Sequence, residues 1–232
     1  ASDAGLIPMM FPDYQRVADA TVRARFERHW GLPADALDAQ PGLTVVEVMH
    51  AIRHGGVRGM LIMGENPAMS DPDANQARDS LARLEHLVVQ DIFMTETAVL
   101  ADVVLPASAF PEKTGTFTNT DRLVQIGRRA VDPPGDARQD LWILQEIARR
   151  IGLAWNYGHV SEVFDEMRGT MPSIAGITWE RLEREHAVTY PCLHEGDAGQ
   201  SVVFVHDFPR EGGRGRFVPA DIVPADERPD AQ

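Results

Sequence analysis

The sequence predicts an α/β fold: a Rossmann-like parallel sheet with flanking helices, followed by a mainly helical and irregular part. Three observations support this prediction. Short apolar runs at 57–64, 87–91 and 102–106 alternate with helical patterns. Such an alternation is typical of parallel strands joined by crossover helices. Glycine and proline residues separate the successive elements, as expected for tight connections.

Two helices precede the first predicted strand. Apolar residues near helical spacing predict the first over about 15–30, with Gly31 placed to end it. The second begins at Thr44, which forms a capping box with Glu47 because each side chain can satisfy a free backbone N–H of the first turn. This helix ends at the glycine pair 55–56.

The sheet itself begins at residue 57. The nearly continuous apolar run 57–64, closed by glycine, predicts a strand that is buried on both faces. The following sequence predicts, in order, a turn at 64–67, a helix at about 73–84, a strand at 87–91, a helix at 95–101 and a strand at 102–106.

Beyond Pro106 the pattern becomes irregular. A long connection leads to a firm helix at 139–151, and the later predictions are helices at 160–168 and 178–186, a strand at 201–206 and a loop at 212–215. We therefore divide the chain into an α/β domain (1–107), a mixed helical segment (108–218) and a proline-rich and acidic linker (219–232).

Composition excludes several classes of function. The net charge of -13 would repel a phosphate backbone, so nucleic-acid binding is not expected. No apolar run approaches the roughly 20 residues of a membrane span. Cys192 is the only cysteine, so this chain cannot ligate an iron–sulfur cluster by itself, and we expect a cytoplasmic protein. The alanine at residue 1 and the linker-like end lead us to expect an internal piece of a longer chain.

Candidate ligand-binding residues follow the predicted strands. In a parallel sheet, ligands bind beyond the carboxyl ends of the strands, where helices begin with free N–H groups. Gly64, Asn66 and Ser70 follow the first strand, while Gln90 and Asp91 follow the second. This arrangement suits a nucleotide, although neither a dinucleotide fingerprint nor a phosphate loop is present. A plain turn explains residues 64–67 equally well.

Asp140 opens a predicted helix and has two possible roles. Its position alone favours a helix cap or a first-turn charge. Its carboxylate could instead accept two parallel hydrogen bonds from guanine, which would select guanine over adenine. The histidines form no convincing metal or catalytic motif; His50 and His54 lack the glutamate of a zinc-protease motif, and Cys192 with His194 lacks a second pair of ligands.

Several long motifs resemble one family. In the same order and at similar spacing, the molybdopterin oxidoreductase family contains stretches like Met63-Gly-Glu-Asn-Pro67, Val89-Gln-Asp-Ile-Phe-Met-Thr95, Ala101-Asp-Val-Val-Leu-Pro106 and Glu112-Lys-Thr-Gly-Thr-Phe-Thr-Asn-Thr-Asp-Arg122. The opening residues 1–15 resemble the large subunits of formate dehydrogenases in particular.

The resemblance implies a cofactor site. It implies that the α/β domain carries one arm of a bis-(molybdopterin guanine dinucleotide) cofactor with molybdenum or tungsten. The residues that match the family's cofactor contacts are Gly64, Glu65, Asn66, Ser70, Gln90, Asp91, Thr95 and Asp140. Asn66 and Ser70 stand where some relatives have aspartate and threonine.

The resemblance also implies the reaction and the partners. In the family, formate is oxidised to carbon dioxide at the metal, and electrons leave through iron–sulfur clusters. The metal-binding cysteine or selenocysteine and the cluster cysteines lie upstream of a segment like this one. The loop at 112–115 resembles soluble NAD-linked enzymes, which implies diaphorase-type iron–sulfur and flavin subunits. The alternatives are another family member, such as an assimilatory nitrate reductase, and a free-standing nucleotide-binding or scaffold protein.

Overall fold

The computed structural model describes residues 2–222. Their longest helices have 11 residues, and within this range no helix has the length and apolar character of a membrane span. The elements in chain order are β1 (Met10–Phe11), β2 (Gln15–Arg16), α1 (Ala20–His29), α2 (Val45–Arg53), β3 (Gly59–Met63), α3 (Pro67–Ser70), α4 (Ala74–Leu81), β4 (His86–Asp91), α5 (Glu96–Val99), β5 (Val103–Pro106), β6 (Gly115–Thr118), β7 (Leu123–Gly127), α6 (Asp140–Arg150), α7 (Val160–Thr170), α8 (Trp179–Glu185) and β8 (Ala187–Thr189).

The predicted parallel sheet is present and confirms the α/β class. It has three strands in the order β3-β4-β5, all parallel, with Leu61 beside Val88 and Val88 beside Val103. Alternate side chains of a strand point to opposite faces. One face packs into a hydrophobic core with α2, α3, α4 and α5, formed by Met49, Ile52, Ile62, Ala68, Leu81, Leu87, Val89 and Ala98.

The prediction that the first strand is buried on both faces is wrong. Ile62 is 7% exposed and faces the core, but Leu61 and Met63 are 44% and 38% exposed on the opposite face. Val103 of β5 is also exposed on that face. Leu61, Met63 and Val103 stay exposed because they lie on the edge strands β3 and β5, whereas Gln90 of the central strand, on the same face, is 1% exposed and is bonded to Asp140 of α6.

The second part contains a sheet that the sequence does not predict. The stretch expected to be irregular forms the antiparallel hairpin β6–β7, and β8 adds to it as a third strand. Helices α6, α7 and α8 begin and end within two residues of their predicted bounds. A second core lies among these elements and consists of Val124, Phe164, Met171, Ile174, Ile177, Trp179, Leu182, Val188 and Cys192.

The strand predicted at 201–206 does not form. These residues adopt bends, and Val202 and Val205 are exposed. A run of β-branched and aromatic residues makes a strand only where a neighbouring backbone can pair with it, and no described strand pairs with this segment. Residues 219–222 of the predicted linker have no regular structure, and the remainder of the linker lies outside the described residues.

The N-terminal residues pack against the second part. The predicted first helix begins only at Ala20, because Gln15 and Arg16 pair with β1 and Asp19 caps the helix through its side chain. The amide of Gln15 donates to the carbonyl of Thr170 at 2.9 Å, and helix α1 contacts α7. The division of the chain at residue 107 stays a prediction.

Candidate functional site

A cleft opens at the carboxyl ends of the three parallel strands. Its volume is about 460 Å³, and seven of the eight predicted site residues line it: Gly64, Glu65, Asn66, Gln90, Asp91, Thr95 and Asp140. The eighth, Ser70, is exposed at the last position of α3 and does not line the cleft. The topology of the sheet thus brings together residues that are up to 76 positions apart, counting from Gly64 to Asp140.

Gln90 lies at the base of this cleft at the end of the central strand. It is only 1% exposed, and its Nε2 donates to Oδ1 of Asp140 at 2.8 Å. Its Oε1 has no hydrogen-bond partner among the described residues, and neither has the buried Oγ of Ser108 nearby. Because an unsatisfied buried polar atom is costly, two atoms beside the cleft are suited to a polar ligand.

Asp140 does not cap its helix. It is the first residue of α6, while the capping position is Gln139, whose side chain makes no capping hydrogen bond. The two carboxylate oxygens instead accept from Gln90 and from the ammonium of Lys113. A carboxylate has about four lone-pair sites, so both oxygens retain acceptor capacity beyond these two bonds. The role as a first-turn acid is therefore compatible with ligand binding.

Lys113 is a site residue outside the predicted set. Its Nζ donates to the carbonyl of Ser108 at 3.0 Å and forms an ion pair with Asp140. The side chain of Lys113 is 26% exposed and that of Asp140 is 31% exposed, so the protein covers most of both charged groups. Lys113 lies in the motif at 112–122 that carries the family resemblance, so the sequence drew attention to this stretch. Local periodicity does not connect Lys113 to a helix that begins 27 residues later.

The side chain of Asn66 is largely occupied within the protein. Its Oδ1 accepts from both the backbone N–H and the hydroxyl of Thr97, at 3.1 and 2.8 Å. Its Nδ2 donates to Glu96 at 2.7 Å, and this hydrogen bond lowers the pKa of the Glu96 carboxyl. Thr97 in turn accepts from the backbone N–H of Ala68. Asn66 therefore ties α3 to α5 at the rim of the cleft.

We expect Asn66→Ala to destabilise this rim by about 1 to 3 kcal/mol, because Thr97 is fully buried and would lose the acceptor of two donors. The measurement is hydrogen exchange at the amides of Thr97 and Ala98. Ser70→Ala serves as the control, since Ser70 is exposed and should change these rates little. Unchanged exchange in Asn66→Ala would show that this network contributes nothing to local stability.

The remaining predicted residues shape the cleft in different ways. Thr95 caps α5 by accepting from the N–H of Ala98 at 3.1 Å. Oδ1 of Asp91 accepts from the two following backbone N–H groups and fixes the turn after β4. Gly64 has a φ of +62°, a conformation that favours glycine, and a Cβ there would point into open space. Glu65 is exposed and makes no hydrogen bond through its side chain among the described residues.

No metal-binding cluster accompanies the cleft. Within residues 2–222, no three His, Cys, Asp or Glu side chains lie close enough together to hold an ion. Ile92, Phe93 and Phe110 are exposed and line the mouth of the cleft. The site thus combines polar acceptors at its base with apolar side chains at its rim, a combination typical of sites for organic ligands.

Comparison with known proteins shows the family to which the chain is similar. The sequence profile described as molybdopterin oxidoreductase matches residues 14–150. The chain is 41% identical over 232 residues to the F420-dependent formate dehydrogenase subunit alpha of Methanocaldococcus jannaschii, covering 99% of this chain and 33% of that protein. It is 37% identical over 233 residues to formate dehydrogenase H of Escherichia coli, covering 99% and 32%. The chain thus spans about a third of the length of these relatives.

The fold has a counterpart among solved structures. Acetylene hydratase from Pelobacter acetylenicus superimposes with a TM-score of 0.56 at 19% sequence identity, covering 81% of this chain and 26% of that one. At this identity the likeness concerns the fold alone. The profile match covers more than half of the residues and includes all eight predicted site positions. This chain therefore belongs to the molybdopterin oxidoreductase family.

Proposed function

We propose that this chain is the cofactor-binding portion of the large subunit of a formate dehydrogenase, and that its cleft holds one arm of a bis-(molybdopterin guanine dinucleotide) cofactor. The observation that carries the proposal is the convergence of seven predicted contact residues on one cleft at the carboxyl ends of the strands. The family membership and the names of the relatives, which include formate dehydrogenases, support it.

The residues of the cleft fit such a group. Gln90 Oε1 and the carboxylate of Asp140 are acceptors, and guanine presents a ring N–H and an exocyclic amine as donors. The volume of about 460 Å³ is within the range of ligand pockets and suits one nucleotide arm. Gly64 allows close approach of the backbone, since its Cβ position is open.

Each residue has a proposed role. Asp140 and Gln90 bind the base, while Gly64, Glu65, Asp91 and Thr95 border the rest of the arm. Asn66 holds the rim in place, and Ser70, at the end of α3, would take part only if this end of the helix moved toward the cleft. The bound cofactor supplies the molybdenum or tungsten centre at which formate is oxidised to carbon dioxide. We propose that residues 108–218 belong to the domain beside an iron–sulfur cluster, and that residues 219–232 lead to a further domain.

The base contact is tested by Asp140→Asn in the full-length polypeptide. Asparagine replaces one acceptor by a donor, so the contact should weaken by about 1 to 3 kcal/mol, and pterin and metal content per folded protein should fall. Asp79→Asn, on the exposed surface of α4, is the control and should retain the cofactor. Full occupancy and full activity in Asp140→Asn would remove this residue from the site.

Substrate and electron acceptor are tested with the full-length polypeptide and its partner subunits. We propose formate as the substrate and NAD as the acceptor, reached through iron–sulfur clusters and diaphorase-type subunits. Formate-dependent reduction of NAD is the expected result. Reduction of F420 but not of NAD would show that the acceptor is F420, as in the name of the Methanocaldococcus jannaschii relative. Activity on nitrate without activity on formate would refute the formate assignment.

A further inference from the structure

Lys113 occupies a junction between three elements. Its ammonium contacts the carbonyl of Ser108, in the connection after β5, and the carboxylate of Asp140 at the start of α6. Through Asp140 it is linked to Gln90 at the end of β4. Lys113 also lines the larger neighbouring cavity of about 720 Å³, so it forms part of the wall between that cavity and the cleft.

The donors around Asp140 fix the orientation of its carboxylate. Gln90 holds Oδ1 and Lys113 holds Oδ2, so rotation of the carboxylate about its bond to Cβ would break at least one of these hydrogen bonds. The side chain of Gln90 is itself immobilised, because it is 1% exposed. The lone pairs not used by these two donors are therefore held in defined directions. A fixed pair of acceptors discriminates between bases better than a freely rotating one.

We propose that Lys113 is a positioning residue that orients the Asp140 carboxylate for the guanine base of the cofactor and acts through Asp140 without contacting the cofactor. The proposal rests on the proposed function, because it requires a guanine in the cleft. The geometry supports an indirect role, since two of the three N–H donors of the ammonium are bonded to Ser108 and Asp140. The competing role is a direct contact between Lys113 and a phosphate of the cofactor.

The two roles predict different nucleotide selectivity. Guanosine monophosphate and adenosine monophosphate carry the same phosphate but different bases. If Lys113 acts through Asp140, Lys113→Met should weaken binding of the guanine nucleotide about tenfold and leave the adenine nucleotide unchanged. If Lys113 contacts a phosphate, both nucleotides should weaken by the same factor. The unchanged adenine affinity also shows that the variant is folded.

The experiment measures dissociation constants of both nucleotides for the full-length polypeptide freed of its cofactor. It compares the wild type with Lys113→Met, Lys113→Arg, Asp140→Asn and the double variant Lys113→Met/Asp140→Asn. We expect both Lys113→Met and Asp140→Asn to lose the preference for guanine, and the double variant to bind within about twofold of the weaker single variant, because the two residues act as one unit. Lys113→Arg should recover part of the preference, because arginine keeps the charge and the donors.

The outcomes separate this proposal from the function on which it rests. A parallel loss for both nucleotides in Lys113→Met, or losses that multiply in the double variant, would overturn the positioning role. So would a full guanine preference in Lys113→Met together with its loss in Asp140→Asn. If the wild type itself shows no preference for guanine, the proposed base contact fails, and the positioning role fails with it.

Discussion

The 232-residue chain alone is expected to oxidise no formate above a metal-only control. Cys192 is its only cysteine, and the sequence contains no selenocysteine. Cys192 is 1% exposed and belongs to the second core, where the guanidinium of Arg181 lies 3.2 Å from its Sγ. It does not line the cleft. The chain therefore cannot present a thiolate or selenolate to a metal held there, and the loss of activity should be complete.

The measurement is formate-dependent dye reduction by the purified chain after incubation with molybdate or tungstate. The full-length polypeptide from the same host provides the positive control, and buffer with metal alone gives the background. Steady formate oxidation by the chain, abolished by heating, would contradict the expectation and would require a metal centre built without cysteine.

Arg181→Met is expected to open the local structure around residues 176–197, at a cost of about 3 kcal/mol, which corresponds to roughly a hundredfold faster amide exchange. The guanidinium is 5% exposed and donates to the carbonyls of Gly176, Glu195 and Asp197, at 3.2, 2.8 and 2.6 Å. Methionine fills a similar volume but removes the guanidinium donor from all three carbonyls.

Hydrogen exchange at the amides of Gly176 and Cys192 reports this opening, because they are bonded to the carbonyls of Cys192 and Ser173 at 2.8 and 2.7 Å. Arg184→Met is a matched control: Arg184 also pairs with Glu185, but its side chain is 60% exposed, so its removal should change stability by less than about 0.5 kcal/mol. Equal exchange rates in the two variants would show that the buried guanidinium has no special role.

Local signals predicted the first part of the fold well. The capping box at Thr44 is present, with the backbone N–H of Thr44 donating to Glu47 at 2.7 Å. Both partners lie within one turn of helix, so the sequence contains the whole interaction. The position of the cleft could be predicted from the topology, because parallel strands bring their carboxyl ends to the same edge of the sheet. The family resemblance added Glu65 and Thr95 and favoured the base contact of Asp140 over the helix cap, and these binding roles stay predictions.

The features that the sequence did not predict depend on distant partners. The hairpin β6–β7 turns through residues 119–122, where Arg122 adopts a φ of +65° in place of the usual glycine or asparagine. Its third strand, β8, lies 60 residues further along the chain, counting from Gly127 to Ala187. The exposure of β3 likewise depends on which neighbours cover it, and the pairing of Lys113 with Asp140 joins residues that no local pattern connects.

The packing of the N-terminal residues against α7 has a consequence for folding. Asp13 accepts from the backbone N–H of Ser173 at 2.9 Å, and Tyr190 donates to Asp3. The N-terminal residues and the second part are thus in contact although the whole parallel sheet separates them in the chain. The parallel sheet therefore lies, in the chain, between two segments that are bonded to each other. Its helices and strands contact one another over short stretches of chain, so it can form early during synthesis. The contact between Tyr190 and Asp3 can form only after residue 190 has left the ribosome, so we expect it to form later than the sheet.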